Sequence, residues 1–71
     1  MARSVRLLFD EIIKETDSAF LVRFGTDEQW IPKSLVDDLE EPIDKINYGY
    51  ITIPKWFAMK NGLEDYEVDD D

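Results

Sequence analysis

The sequence predicts a small α+β domain that is mainly β: an antiparallel meander of three to four strands, compatible with an SH3-like curl, and a short C-terminal helix. Three observations predict it. Phe20, Val22 and Phe24 alternate with Leu21 and Arg23, the period-two pattern of a half-buried strand. Residues 48–53 (YGYITI) are dense in aromatic and β-branched side chains, which suit a pleated surface. Pro54 and Gly62 then bracket a short run with the residues that favour the start and the stop of a helix. Seventy-one residues allow one domain with one small core. The expected division is a globular domain over residues 1–63 and a flexible acidic tail over 64–71.

Residues 4–16 admit two readings. Val5, Leu8, Phe9, Ile12 and Ile13 make a helical stripe with Ser4 as its cap. As a strand, Val5, Leu7 and Phe9 share a face and the phase slips at Asp10–Glu11, which requires a bulge. Periodicity prefers the helix. The next segment prefers the strand, because Thr16, Asp17 and Ser18 are turn formers leading into the strand over 19–24, so a hairpin follows naturally. Gly25-Thr26-Asp27-Glu28 makes a second tight connection, after which Gln29, Trp30 and Ile31 pair back until Pro32. Residues 35–39 suggest one helical turn capped by Ser34. The acidic stretch around Pro42 reads as a loop. Residues 55–61 are the predicted helix, with Gly62 as a left-handed cap and Leu63 folding back onto it.

Charge is the strongest compositional signal. Seventeen acids against eight bases give a net charge of −9. Asp37, Asp38, Glu40, Glu41 and Asp44 form one base-free segment, and Glu64, Asp65, Glu67, Asp69, Asp70 and Asp71 form another. Without those eleven, six acids face eight bases, so the chain reads as a near-neutral domain carrying two acidic patches. A field of that sign repels nucleic acid and anionic membrane and steers toward basic surfaces.

The residues for catalysis are missing. With no His and no Cys, the commonest general base and the strongest common nucleophile are gone, and Ser4, Ser18 and Ser34 have no base motif beside them. A calcium loop starting at Asp44 places Gly49 correctly at position six but puts Ile46, Tyr48 and Lys55 where oxygen ligands belong. No cofactor or metal is therefore expected. No apolar run reaches the ~20 residues of a membrane span, and the start of the chain meets Asp10 and Glu11 too soon for a secretory signal, so a cytoplasmic location is expected. Trp30, Phe57 and one Tyr are expected to fill the core. Trp56 and Phe57 are adjacent and cannot share a helical face, so Trp56 is a candidate exposed contact of the kind that dominates protein interfaces.

The stretches KETDSAFLVRF, EQWIPKS and ITIPKWFAMKNGL together resemble small uncharacterised phage and prophage proteins that carry an E-T-x-x-A hairpin, a W-[IL]-P-K-S turn and a terminal I-x-[IV]-P-x-W-[LF]-A helix. The resemblance covers about residues 10–63 and implies strand over helix for the first segment. Small acidic phage proteins include DNA mimics such as the anti-CRISPR proteins. By that analogy the chain is expected to inhibit a host defence complex by occupying its basic nucleic-acid-binding surface. The partner would be such a protein, a CRISPR effector complex for example, with no direct binding of nucleic acid and with monomer and homodimer both open. Asp37, Asp38, Glu40, Glu41 and Asp44 would carry the contact, supported by Glu64, Asp65, Glu67 and Trp56. The rival expectation is an accessory module that binds another phage protein through Trp56, Tyr50 and a sheet edge, with the acids serving solubility.

Overall fold

The computed structural model describes residues 3–42 and 48–68. Six strands form two antiparallel three-stranded sheets. The first, in the order β1-β6-β5, joins Ser4–Phe9 (β1), Gly49–Pro54 (β6) and Asp38–Glu40 (β5). The second, in the order β2-β3-β4, is the predicted meander of Glu11–Glu15 (β2), Ala19–Phe24 (β3) and Asp27–Pro32 (β4). One α-helix, Lys55–Lys60 (α1), and two 3-10 turns, Lys33–Leu35 and Glu64–Tyr66, complete the elements of the described residues.

Residues 4–16 are strand, not helix. The chain runs straight from one sheet into the other through a bend at Asp10, where the backbone N–H of Asp10 donates to the Arg23 carbonyl at 2.9 Å. That bend shifts the phase of the apolar residues, and a further irregularity lies between Ile12 and Lys14. Together they give a strand pair the spacing of a helical stripe. The turn into β3 is built from side-chain chemistry: Thr16 Oγ1 accepts from the Ala19 N–H at 3.1 Å, and the Thr16 N–H donates to the Ala19 carbonyl at 2.8 Å. The β3–β4 turn has two residues, Gly25 and Thr26, with Gly25 at φ 61°, which a side chain would resist.

The core lies between the sheets. Val5, Leu7 and Phe9 of β1 and Ile51 and Ile53 of β6 meet Val22, Phe24 and Ile31, with Ala58 and Leu63 closing one side. Each large apolar side chain so buried contributes about 1.5–3 kcal/mol. The helix ends as expected, with Gly62 at φ 69°, the Leu63 N–H donating to the Ala58 carbonyl at 2.8 Å, and Leu63 buried.

Four expectations are corrected. The turn before the acidic segment is Lys33–Leu35, and residues 35–39 do not form a helical turn. Asp38–Glu40 is an edge strand, not a loop, because Leu39 alternates with the acids and lies opposite Ile51 of β6. Residues 64–68 are not a free tail: Tyr66 packs on Phe24, Glu67 bridges Leu7, and the Val68 N–H donates to the Arg6 carbonyl at 2.8 Å. Trp30 is exposed, since Ile31 takes the core face of β4 and its neighbour must point away. Asp44 and residues 69–71 lie outside the described residues.

Candidate functional site

The register places both acidic segments on one sheet. Leu39 pairs with Ile51, Ile51 with Leu7, and Leu7 with Glu67, so a single row crosses the sheet from one acidic segment to the other. Three strand spacings separate its ends, about 14 Å. Asp38 and Glu40 flank Leu39 at one end, and Glu64 and Asp65 precede Glu67 at the other. Asp37, Asp38, Glu40, Glu41, Glu64, Asp65 and Glu67 are all exposed.

Their partners differ. Ser4 Oγ donates to Asp37 Oδ2 at 2.6 Å, tying the start of the acidic strand to β1. The Arg6 guanidinium stands 3.8 Å from Glu40 Oε1 and 4.4 Å from the Tyr50 ring centre, so part of the Glu40 charge is offset within the sheet. Asp38, Glu41, Glu64, Asp65 and Glu67 have no ion pair among the described residues. Among the described residues the other ion pairs belong to the opposite sheet and its 3-10 turn, Arg23–Glu11 at 3.0 Å and Lys33–Glu15 at 2.6 Å. The edges of the β1-β6-β5 sheet therefore carry exposed carboxylates without an ion pair among the described residues, as do Asp17, Asp27 and Glu28 on the side of the other sheet.

Trp56 is 54% exposed, as its position beside Phe57 implies, and the two rings meet edge to face. Trp30, at 44%, stands across from it. Together with Pro32, Leu35, Phe57 and Lys60 they line a groove of about 400 Å³ at the outer edge of β4. That edge is poorly suited to pair with another strand. The Lys33 N–H donates to the Ser18 carbonyl at 2.8 Å, and the alternation of ladder bonds then turns Glu28, Trp30 and Pro32 outward. Pro32 has no donor, and the Trp30 carbonyl is taken by Gln29 Nε2 at 3.0 Å. Tyr50, grouped with Trp56 from the sequence, lies beneath Arg6 on the other sheet.

A second, smaller cleft of about 280 Å³ opens beside the Asp10 bend, lined by Leu8, Asp10, Gly25, Tyr48 and Tyr66. Asp10 Oδ2 accepts the Gly25 N–H at 2.8 Å, and the Tyr66 hydroxyl donates to Asp27 Oδ2 at 3.0 Å. The Tyr66 phenol is held above its ordinary value of 10.0, first by that hydrogen bond, then by desolvation, then by the fields of Asp27, Asp65 and Asp10. Neither Asp10 nor Tyr66 stands out in the sequence as a site residue, and the placing of Trp30 and Tyr48 in two separate clefts is not legible there. The available signals were the alternation that turns Trp30 outward and the Tyr66-Glu67-Val68 alternation inside the acidic run.

Among the described residues no group of three or more acids could hold a metal ion, and no helix is long and apolar enough to cross a membrane. No protein-family model, curated protein or solved structure matches the chain.

Proposed function

We propose that this chain is an acidic binding protein that occupies a basic, nucleic-acid-binding surface of a partner protein and competes with nucleic acid there. The observation that supports the reading best is the row Leu39–Ile51–Leu7–Glu67, which presents acids at both edges of one rigid sheet. Carboxylates held in this way accept charge-assisted hydrogen bonds from Lys and Arg that otherwise grip phosphates. Their backbone is already ordered, so binding avoids much of the ~1–2 kcal/mol per residue that ordering a loose segment costs. The resemblance to small acidic phage proteins points to a bacterial defence complex, of the CRISPR effector kind, as the partner.

A second reading is favoured by the two exposed tryptophans. Here the chain is an accessory interaction module whose groove between Trp30 and Trp56 takes an apolar segment of a partner, with a carboxylate of that segment meeting Lys60, the one charged wall of the groove. Salt separates the two. Affinity of the full chain for the heparin-retained proteins of a bacterial lysate should fall steeply between 50 and 300 mM salt, as the screening length drops below about 10 Å, with the on-rate carrying most of the loss. An affinity indifferent to salt supports the tryptophan groove instead.

A further inference from the structure

We infer that the cleft of Asp10, Tyr48 and Tyr66 is an anchor site for one arginine side chain of the protein partner. This rests on the acidic-binder reading and adds to it a specific pocket whose carboxylate, Asp10, lies outside the acidic segments. Size comes first. At about 280 Å³ the cleft lies just under the range of sites for drug-sized ligands, and it opens to solvent at Tyr48, which is 54% exposed. It has room for a single side chain entering from outside.

Chemistry selects the side chain. The walls are two phenol rings and Leu8, and the polar group is a carboxylate, with no base in the lining among the described residues. Aromatic faces and carboxylates together favour a cation. Asp10 is aimed by the Gly25 N–H on Oδ2, and no described residue donates to Oδ1. Tyr66 is fixed by Asp27 at its hydroxyl and by the Phe24 ring, 5.3 Å away between centres. Gly25 lies against Tyr66 without a side chain, so nothing from that turn fills the floor. A guanidinium can lie flat on a tyrosine while donating to a carboxylate, which an ammonium does less well. The same sheet already shows the first of these contacts, with Arg6 over Tyr50 at 4.4 Å. Asp10, Asp27 and Asp65 all act on Tyr66, so the local field favours a cation and disfavours a phosphate or an acidic peptide.

The test is amide chemical-shift titration of the full chain with N-acetyl-arginine methylamide, and with the lysine and leucine counterparts as comparison probes. Saturable shifts confined to Gly25, Asp10, Tyr66 and their neighbours are expected with arginine, weaker ones with lysine and none with leucine. Tyr48→Ala, an exposed position outside the core, should weaken the arginine response about two- to fivefold, and Asp10→Asn should weaken it further. Shifts that are absent, that follow leucine equally, or that gather at residues 37–41 overturn the anchor. The quadruple variant D37N/D38N/E40Q/E41Q should keep the arginine response. If the arginine response stands but wild-type chain displaces no nucleic acid from basic proteins, the broader reading falls and the cleft remains. If displacement stands while the cleft ignores arginine, the anchor alone falls.

Discussion

The Tyr66 hydroxyl donates to Asp27 Oδ2 at 3.0 Å, joining the C-terminal 3-10 turn to the start of β4 across 39 residues of sequence. The Tyr66 ring also packs against Phe24 of the core. Tyr66→Phe should lower the melting temperature modestly by removing the hydrogen bond, and Tyr66→Ala should lower it more by removing the packing as well. A thermal melt followed by circular dichroism ranks the three chains. Equal midpoints would mean that residues 64–68 add nothing to the fold.

The same hydroxyl makes stability depend on alkaline pH. The folded phenol keeps its proton to a higher pH than the unfolded one. Its contribution is therefore fully present below pH ~10, the ordinary tyrosine value, and is lost as pH rises through the folded value. Urea midpoints between pH 9 and 11 should fall less in Tyr66→Phe than in wild type. A steeper fall in the variant would contradict the assigned direction.

Gly49 pairs with Phe9 where β6 begins, and its Cα lies under the Phe9 ring. A side chain there would overlap Phe9 Cζ and stand 2.7 Å from the Glu40 carbonyl oxygen. Gly49→Ala should destabilise by about 1–3 kcal/mol, as overpacking does, and loosen β5 with it. Urea unfolding measures the loss. An unchanged midpoint would show that β5 and β6 are less closely apposed than described.

Trp30 and Trp56 are the only tryptophans, and both are exposed. Emission of the folded chain should therefore sit near that of the unfolded chain, with acrylamide quenching both rings freely. Trp30→Phe should change stability by less than about 1 kcal/mol, the ordinary range for a surface position. A blue-shifted, protected emission would return Trp30 to the core.

The legible parts of this fold are those where one physical signal acts alone. Phe20, Val22 and Phe24 alternate without interruption, and Gly62 followed by Leu63 reads as a helix cap from residue type. Residues 4–15 are harder, because the Asp10 bend and the irregularity after Ile12 shift the phase of a true strand pair until it imitates a helix. The acidic edges carried a weaker signal. Leu39 between Asp38 and Glu40, and Tyr66 and Val68 around Glu67, are short alternations that only pairing with β6 and β1 turns into structure. The acids of the candidate site were visible as charge. Their arrangement on opposite edges of one sheet was not, since it depends on register across three long-range pairings. The Asp10–Tyr48–Tyr66 cleft was invisible for the same reason.

The central claim is that ordered carboxylates on the sheet edges compete with nucleic acid for a basic protein surface. The direct measurement is release of a fluorescent DNA duplex from the heparin-retained proteins of a bacterial lysate. It compares wild type, D37N/D38N/E40Q/E41Q, E64Q/D65N/E67Q and Trp56→Ala. These substitutions lie on exposed positions, so circular dichroism should show all four folded. The account predicts release by wild type and by Trp56→Ala, a loss of at least tenfold in the first charge variant (about 1.4 kcal/mol), and a smaller but clear loss in the second. Release by both charge variants at the wild-type level, together with failure of Trp56→Ala, would contradict it and assign binding to the tryptophan groove.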